Sequence, residues 1–105
     1  MSNAVMIVDA GACKFKTTIT GECDENFNVS LKIEGGCPAV KKLASALTSV
    51  NVFEAIATPI NENIVFIKCG EMLTHAACPL PVAIVKVCEA AGDLALKKPV
   101  TMTYE

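Results

Sequence analysis

The residues best suited to chemistry in this 105-residue chain are six cysteines and a single histidine, His75. Thiolates ligate soft metal centres such as zinc and iron–sulfur clusters, and they also act as nucleophiles. Six cysteines exceed ordinary usage at this length, but they stay below the roughly 8–10% that characterises disulfide scaffolds. The composition therefore indicates thiol or metal chemistry.

Two of the cysteines share a sequence context. Cys37 and Cys78 each precede a proline and a predicted helix, in GGCPAVKKL and AACPLPVAIV. A thiol at a helix N-cap lies near unpaired backbone N–H groups and the positive end of the helix dipole, and this environment favours the thiolate. We therefore expect at least one of the two to be functional, the alternative being that both are inert capping residues.

Cys13 and Cys69 also fall at predicted element boundaries, in GACKF and KCGEM. With Cys37 and Cys78 they are predicted to form a tetrahedral all-cysteine metal site. His75 precedes Cys78 closely enough to replace a ligand, support one, or act as a base. The chain has no C-x-x-C pair, so the fold must bring these residues together. Structural burial, redox pairs and catalysis stay open as alternatives.

The remaining two cysteines are assigned no function. Cys23 lies in the acidic turn GECDEN, where we expect it to be exposed and its acidic neighbours to raise its pKa. Cys88 lies within an apolar helical pattern and is predicted to be a core residue.

The first third of the chain has the alternating pattern of strands. Val5 and Ile7 alternate with other residues in a first strand. Residues 14–20 and 27–34 are predicted to form an antiparallel hairpin, because both alternate with period two and a turn-rich GECDEN segment separates them.

The middle of the chain changes to helical spacing. A helix is predicted from Pro38, a short helix or turn over Val52–Ala57, and a buried helix over residues 79–91. Residues 61–73 have strand composition in their centre, but they also present a helical apolar face. We favour a helix there, capped by one of its asparagines.

A last strand is predicted over residues 100–104, with Val100, Met102 and Tyr104 facing inward. The order of strands, helices and strand indicates a single α+β domain over residues 1–105. The expected architecture is two-layered, a mainly antiparallel sheet of about three to four strands with helices packed on one face. Residues 1–4 carry no weight here, because they could derive from an expression tag or be disordered.

Charge and hydropathy restrict the class of partner. The formal net charge is −2, with nine basic and eleven acidic residues, so nucleic acid is not an expected partner. No signal peptide is recognised, and no apolar run approaches the roughly 18 residues of a membrane span. We therefore expect a cytoplasmic protein without a membrane partner, whose thiols stay reduced. An apolar helix and a short edge strand are compatible with a homodimer, and the protein partner is unknown.

The runs IEGGCPAVKKLASALTSVNVFEAI and IKCGEMLTHAACPLPVAIVKVCEAA resemble the small TSCPD domain. The resemblance implies a metal bound through cysteines, with Cys13, Cys37, Cys69 and Cys78 on the cysteine positions. The sequence departs from that domain before Cys78 and at Leu80, where the domain has aspartate. The chain also resembles a set of small uncharacterised proteins with an H-A-A-C-P-x-P motif, here residues 75–81.

Three functional hypotheses result. The first is a domain that binds zinc or an iron–sulfur cluster through Cys13, Cys37, Cys69 and Cys78, with His75 as substitute or supporting residue. The second is a redox protein or thiol enzyme with Cys78 or Cys37 as its nucleophile. The third is a metal-free interaction module whose cysteines are structural. The sequence alone names no reaction or substrate.

Overall fold

The sheet follows the order of the chain in the computed structural model, which describes residues 2–105. It is antiparallel throughout, with neighbouring strands consecutive in sequence. The strands are β1 (Asn3–Asp9), β2 (Lys16–Cys23), β3 (Asn28–Gly35) and β4 (Ser49–Asn51).

Helices form the second layer of the fold. They are α1 (Pro38–Ala46), α2 (Val52–Ala57), α3 (Ile64–Met72) and α4 (Leu80–Ala91), with 3-10 turns at Gly11–Cys13 and Ile60–Glu62. Helix α4 packs across β1 and β2, α1 packs on β3, and α2 and α3 complete the layer against these helices. The predicted α+β architecture, an antiparallel sheet covered by helices, is confirmed.

The β2–β3 hairpin is the centre of the sheet, as the alternating pattern predicted. On β3 the buried residues Val29, Leu31 and Ile33 alternate with exposed polar residues. At the turn, one carboxylate oxygen of Asp24 accepts hydrogen bonds from the backbone N–H groups of Asn26 and Asn28, each at 2.9 Å. The acidic turn therefore closes the hairpin through a side chain.

The prediction that Cys23 is exposed is wrong. β2 continues through Gly21 into the segment expected to be a turn, and Cys23 pairs with Val29. Because side chains alternate between the two faces of a strand, this register directs Cys23 inward, where it is buried. The apolar faces of Val87 and Ala91 pack against the bare backbone of Gly21, which explains why the strand continues where turn residues suggested an end.

The prediction that residues 100–104 form the last strand of the chain's own sheet is also wrong. Within the described chain this segment has no strand partner, and Val100, Met102 and Tyr104 are exposed. Alternation identifies residues able to form a strand, but it does not supply the neighbouring strand whose backbone completes the hydrogen bonds.

Asn63 decides the structure of residues 61–73, whose sequence is compatible with both a strand and a helix. Its side-chain oxygen accepts a hydrogen bond from the N–H of Val65 at 3.0 Å, and this contact caps α3. Residues 64–72 are accordingly helical, as favoured, and Val65 and Cys69 face the core. No helix within residues 2–105 is long and apolar enough to cross a membrane.

Candidate functional site

An open cleft of about 310 Å³ lies between α3 and the start of α4. Three of the five predicted site residues line it, namely Cys69, His75 and Cys78. Phe66, Leu73 and Pro81 are among the apolar side chains that complete its walls. The fold therefore brings together two thiols and the single imidazole of the chain.

Cys69 is the buried member of this group. It lies in the last half of α3 and is 2% exposed. The pKa of the Cys69 thiol is raised to about 12. Burial is the larger cause and the neighbouring Cys78 is the second. An ionised Cys78 would thus repel negative charge on Cys69, so Cys69 stays a neutral thiol at physiological pH.

Cys78 is the accessible member, only partly buried in the loop that connects α3 and α4. Its backbone N–H donates a hydrogen bond to the carbonyl oxygen of His75 at 3.3 Å, closing a turn that brings both residues to the cleft. The prediction that Cys78 is a helix N-cap is wrong. Pro79 occupies that position, with φ −79° and ψ −2°, and its carbonyl accepts from the N–H of Ala83.

Cys37 is an N-cap, as predicted, and it precedes Pro38 at the first turn of α1. Gly35 and Gly36 lead into it with φ of 81° and 80°, a backbone conformation that residues with a Cβ rarely adopt. A Cβ on Gly36 would lie 2.7 Å from the hydroxyl of Thr17, so glycine is required there. Cys37 is partly buried, but it does not line the cleft.

Cys13 is exposed in the 3-10 turn between β1 and β2, and it also lies outside the cleft. Across residues 2–105, no three side chains of histidine, cysteine, aspartate or glutamate are placed to hold a metal ion together. The structure thus unites Cys69, His75 and Cys78 in one cleft and leaves Cys13 and Cys37 apart from it.

A second thiol pair was missed from the sequence. Cys88, predicted to be a core residue, is fully buried in α4, where burial raises its pKa to about 12. Cys23 is the second cause of that rise, and α4, which carries Cys88, packs on β2, which carries Cys23. Burial also raises the pKa of Cys23, with Asp24 as the second cause. The alternation of Ile19, Gly21 and Cys23 on β2 was the signal that could have revealed this neighbourhood.

The fold and the cleft define the chain as a small two-layer α+β domain with a thiol-lined site. Residues 4–104 match a family described as "Family of unknown function (DUF6951)", and the chain belongs to this family. Neither the curated proteins nor the solved structures include a match to the chain.

Proposed function

We propose that the chain is a thiol–disulfide redox protein whose working residues are Cys78 and Cys69. The observation that carries this proposal is the unequal exposure of two thiols that line one cleft. A dithiol site needs one accessible sulfur to meet the substrate and a second sulfur held nearby to resolve the intermediate.

Cys78 is the attacking residue in this scheme. Its thiolate attacks one sulfur of a disulfide substrate, forming a mixed disulfide and releasing the other substrate sulfur as a thiolate. Cys69 then loses its proton and attacks the sulfur of Cys78, so the second substrate thiolate leaves and a Cys69–Cys78 disulfide remains. The substrate gains two electrons and the chain loses two.

The raised pKa of Cys69 argues against this thiol as the first nucleophile, because burial keeps it protonated. In the mixed disulfide Cys78 carries no charge, so one of the two causes that raise the pKa of Cys69 disappears. Burial, the larger cause, remains, so Cys69 is still a neutral thiol that must give its proton to a base before it attacks. His75 lines the same cleft and is the residue available to accept a thiol proton.

Cys37 is the weaker choice of nucleophile, although it caps a helix. It does not line the cleft that Cys69 and Cys78 share. Without a second thiol to resolve it, a mixed disulfide at Cys37 would persist until an external thiol removed it. The proposed cycle also requires a compartment that keeps thiols reduced, which agrees with the expected cytoplasmic location.

Metal binding is the second candidate, because His75 lines the same cleft as the two thiols, although the three side chains are not placed to hold a metal ion together in this structure. Cys69, Cys78 and His75 are a soft donor set suited to zinc, and an iron–sulfur cluster is the other centre that thiolate ligands suit. Cys13 and Cys37 lie outside this cleft, so a four-cysteine site is not part of the proposal.

The test is redox titration of the full chain, purified reduced and without oxygen, in glutathione buffers. We expect peptide mapping to show a reversible Cys69–Cys78 disulfide, with the loss of two hydrogen atoms. Cys69→Ser should accumulate glutathione on Cys78, whereas Cys78→Ser should accumulate none in the cleft. Cys37→Ser is the matched control and should titrate as the unmodified protein does.

Two kinds of result would contradict the redox proposal. A stable disulfide that excludes Cys69 or Cys78, or Cys37 as the fastest-reacting thiol, would contradict the redox proposal. Near-stoichiometric zinc or iron in the anaerobic protein, lost in both Cys69→Ser and Cys78→Ser, would establish the metal candidate in its place.

A further inference from the structure

One edge of β1 has no strand partner in the part of the chain that the structure describes. One side of β1 pairs with β2, and among residues 2–105 nothing pairs with its other side. Exposed edges normally carry a lysine, a proline or a bulge, or they are very short. β1 has seven residues, its sequence NAVMIVD contains neither lysine nor proline, and its register with β2 is continuous. The opposite edge, β4, is protected by being only three residues long.

The outer face of β1 is apolar, unlike the outer faces of β2 and β3. Val5 is 62% exposed and Ile7 is 73% exposed, whereas the adjacent β2 presents Thr18 and Thr20 on this face. The next strand, β3, presents Ser30 and Lys32 there. A strand added to the β1 edge would therefore find both unpaired backbone groups and exposed apolar side chains.

The C-terminal segment, residues 100–104, is the strand that this edge fits. Its sequence VTMTY alternates apolar and threonine side chains, and Met102 and Tyr104 are almost entirely exposed. Within the described chain the segment makes no backbone hydrogen bond. It lies inside the region that the family match covers, so the exposed apolar residues belong to the domain.

The direction in which the segment runs determines whether it can pair with the β1 edge of its own chain or with that of a second copy. Ala91, at the end of α4, packs on Gly21, and Gly21 pairs with Ala4 near the start of β1. From there residues 96–99 line a groove of about 220 Å³ between β1 and α4. Residues 96–99 and residues 4–7 of β1 line this same groove, so the segment begins beside β1. A segment that continues from there in the direction of β1 can join its own β1 edge only as a parallel strand.

Charge favours the opposite direction. An antiparallel arrangement would place Lys98, which precedes the segment, near Asp9 at the end of β1, whereas a parallel one would place Glu105 there. A two-fold axis perpendicular to the strands converts one chain's outgoing segment into an antiparallel neighbour of the other chain's β1.

We propose that two copies of this chain exchange their C-terminal segments, each adding residues 100–104 as an antiparallel strand to the β1 edge of the other. Val100, Met102 and Tyr104 then lie beside Ile7 and Val5 on the outer face of a continuous sheet. Main-chain hydrogen bonds provide the affinity, and the alternating apolar side chains set the register.

The test is sedimentation equilibrium of the full chain over a wide concentration range. We expect a reversible dimer with twice the 11.0 kDa mass of one chain. Met102→Pro removes a ladder N–H, and Ile7→Lys places a charge on the edge strand. Each should weaken dimerisation at least about tenfold while leaving the circular dichroism spectrum of the domain unchanged. Ser30→Lys adds the same charge on the same face two strands away and should not alter the dimer.

Isotope-filtered NOE spectra on a mixture of labelled and unlabelled chains identify the donor of the segment. We expect contacts between the Met102 methyl group and the Ile7 or Val5 methyl groups to be intermolecular. A monomer at all concentrations would overturn the proposal, whether the segment is free or bound to its own β1. A dimer that survives truncation after Pro99 would overturn it equally, since that interface lies elsewhere.

Discussion

Asn63 joins two helices through one buried side chain, and its replacement should destabilise the protein measurably. The side-chain amide donates hydrogen bonds to the carbonyl oxygens of Ala55 at 2.8 Å and Thr58 at 3.1 Å, at the end of α2. Its oxygen accepts from the N–H of Val65 at the start of α3. Asn63 is only 2% exposed, so water cannot readily replace these contacts.

The expected loss is the sum of two contributions. Removing an N-cap side chain costs about 1 kcal/mol. Leaving buried carbonyl groups without their donor costs about 2 kcal/mol more. Asn63→Ala should therefore lower the free energy of unfolding by about 3 kcal/mol. With about 2.1 cal/mol/K of unfolding entropy per residue, this corresponds to a Tm about 14 °C lower.

Two further substitutions separate the contributions. Asn63→Ser keeps an oxygen that can cap α3 but loses the amide donor, so it should cost about 2 kcal/mol. Asn63→Asp also keeps the cap, but it turns a second oxygen toward the carbonyl groups. Burial and those carbonyls would raise the pKa of the new carboxyl group in the folded state. Its protonated form is then preferred, so stability is greatest below pH about 4 and falls as pH rises through the folded pKa.

The assay is urea and thermal denaturation followed by circular dichroism, with reducing agent present. Asn61→Ala is the matched control, because Asn61 is exposed two residues earlier, and it should change stability by less than about 0.5 kcal/mol. If Asn63→Ala costs no more than this control, or if Asn63→Asp shows no dependence on pH, the assigned role of the side chain is wrong.

Other perturbations test the site and its supports. Gly36→Ala should destabilise the fold by about 2 kcal/mol or more, because φ is positive and a Cβ meets Thr17 and Val40. Gly70→Ala, in α3 with open space around the added methyl group, should instead stabilise by about 0.5–1 kcal/mol, and equal effects in urea denaturation would refute the assignment. Raising the pH from the ordinary thiol value of 9 toward 12 should reduce stability, because the folded pKa values of Cys69 and Cys88 are both about 12 and the folded state prefers their protonated forms. Stability that stays flat over this range would contradict the burial argument. Oxidation of Cys69 and Cys78 closes a short loop and should stabilise by about 2–3 kcal/mol on chain-entropy grounds, measured as the difference between oxidised and reduced urea midpoints.

The strands and helices that depend only on neighbouring residues were predictable from the sequence. The alternation on β3 and the proline that opens α1 each specify an element through its own residues. The buried face of α4 follows equally from its continuous apolar sequence. These features depend on period and capping, which neighbouring residues determine.

The features that depend on distant contacts were not predictable in the same way. β2 continues through Gly21 because Val87 and Ala91 fill the space above this residue. The turn-like composition of the segment alone predicted that the strand ends before it. The grouping of Cys69 with Cys78 arises from the loop between α3 and α4. Cys13 and Cys37 fall at similar boundaries but outside the cleft. Spacing along the chain does not reveal which boundaries meet.

The packing of α4 on β1 and β2 has a consequence for the order of folding. Strands that are neighbours in the sheet are neighbours in sequence, so the hairpins can form early from local contacts. The inner face of β1, by contrast, is covered by a helix from the last third of the chain. During synthesis the inner face of β1 cannot be covered until α4 has emerged from the ribosome. We therefore expect the nascent sheet to expose its β1 side until translation has passed α4.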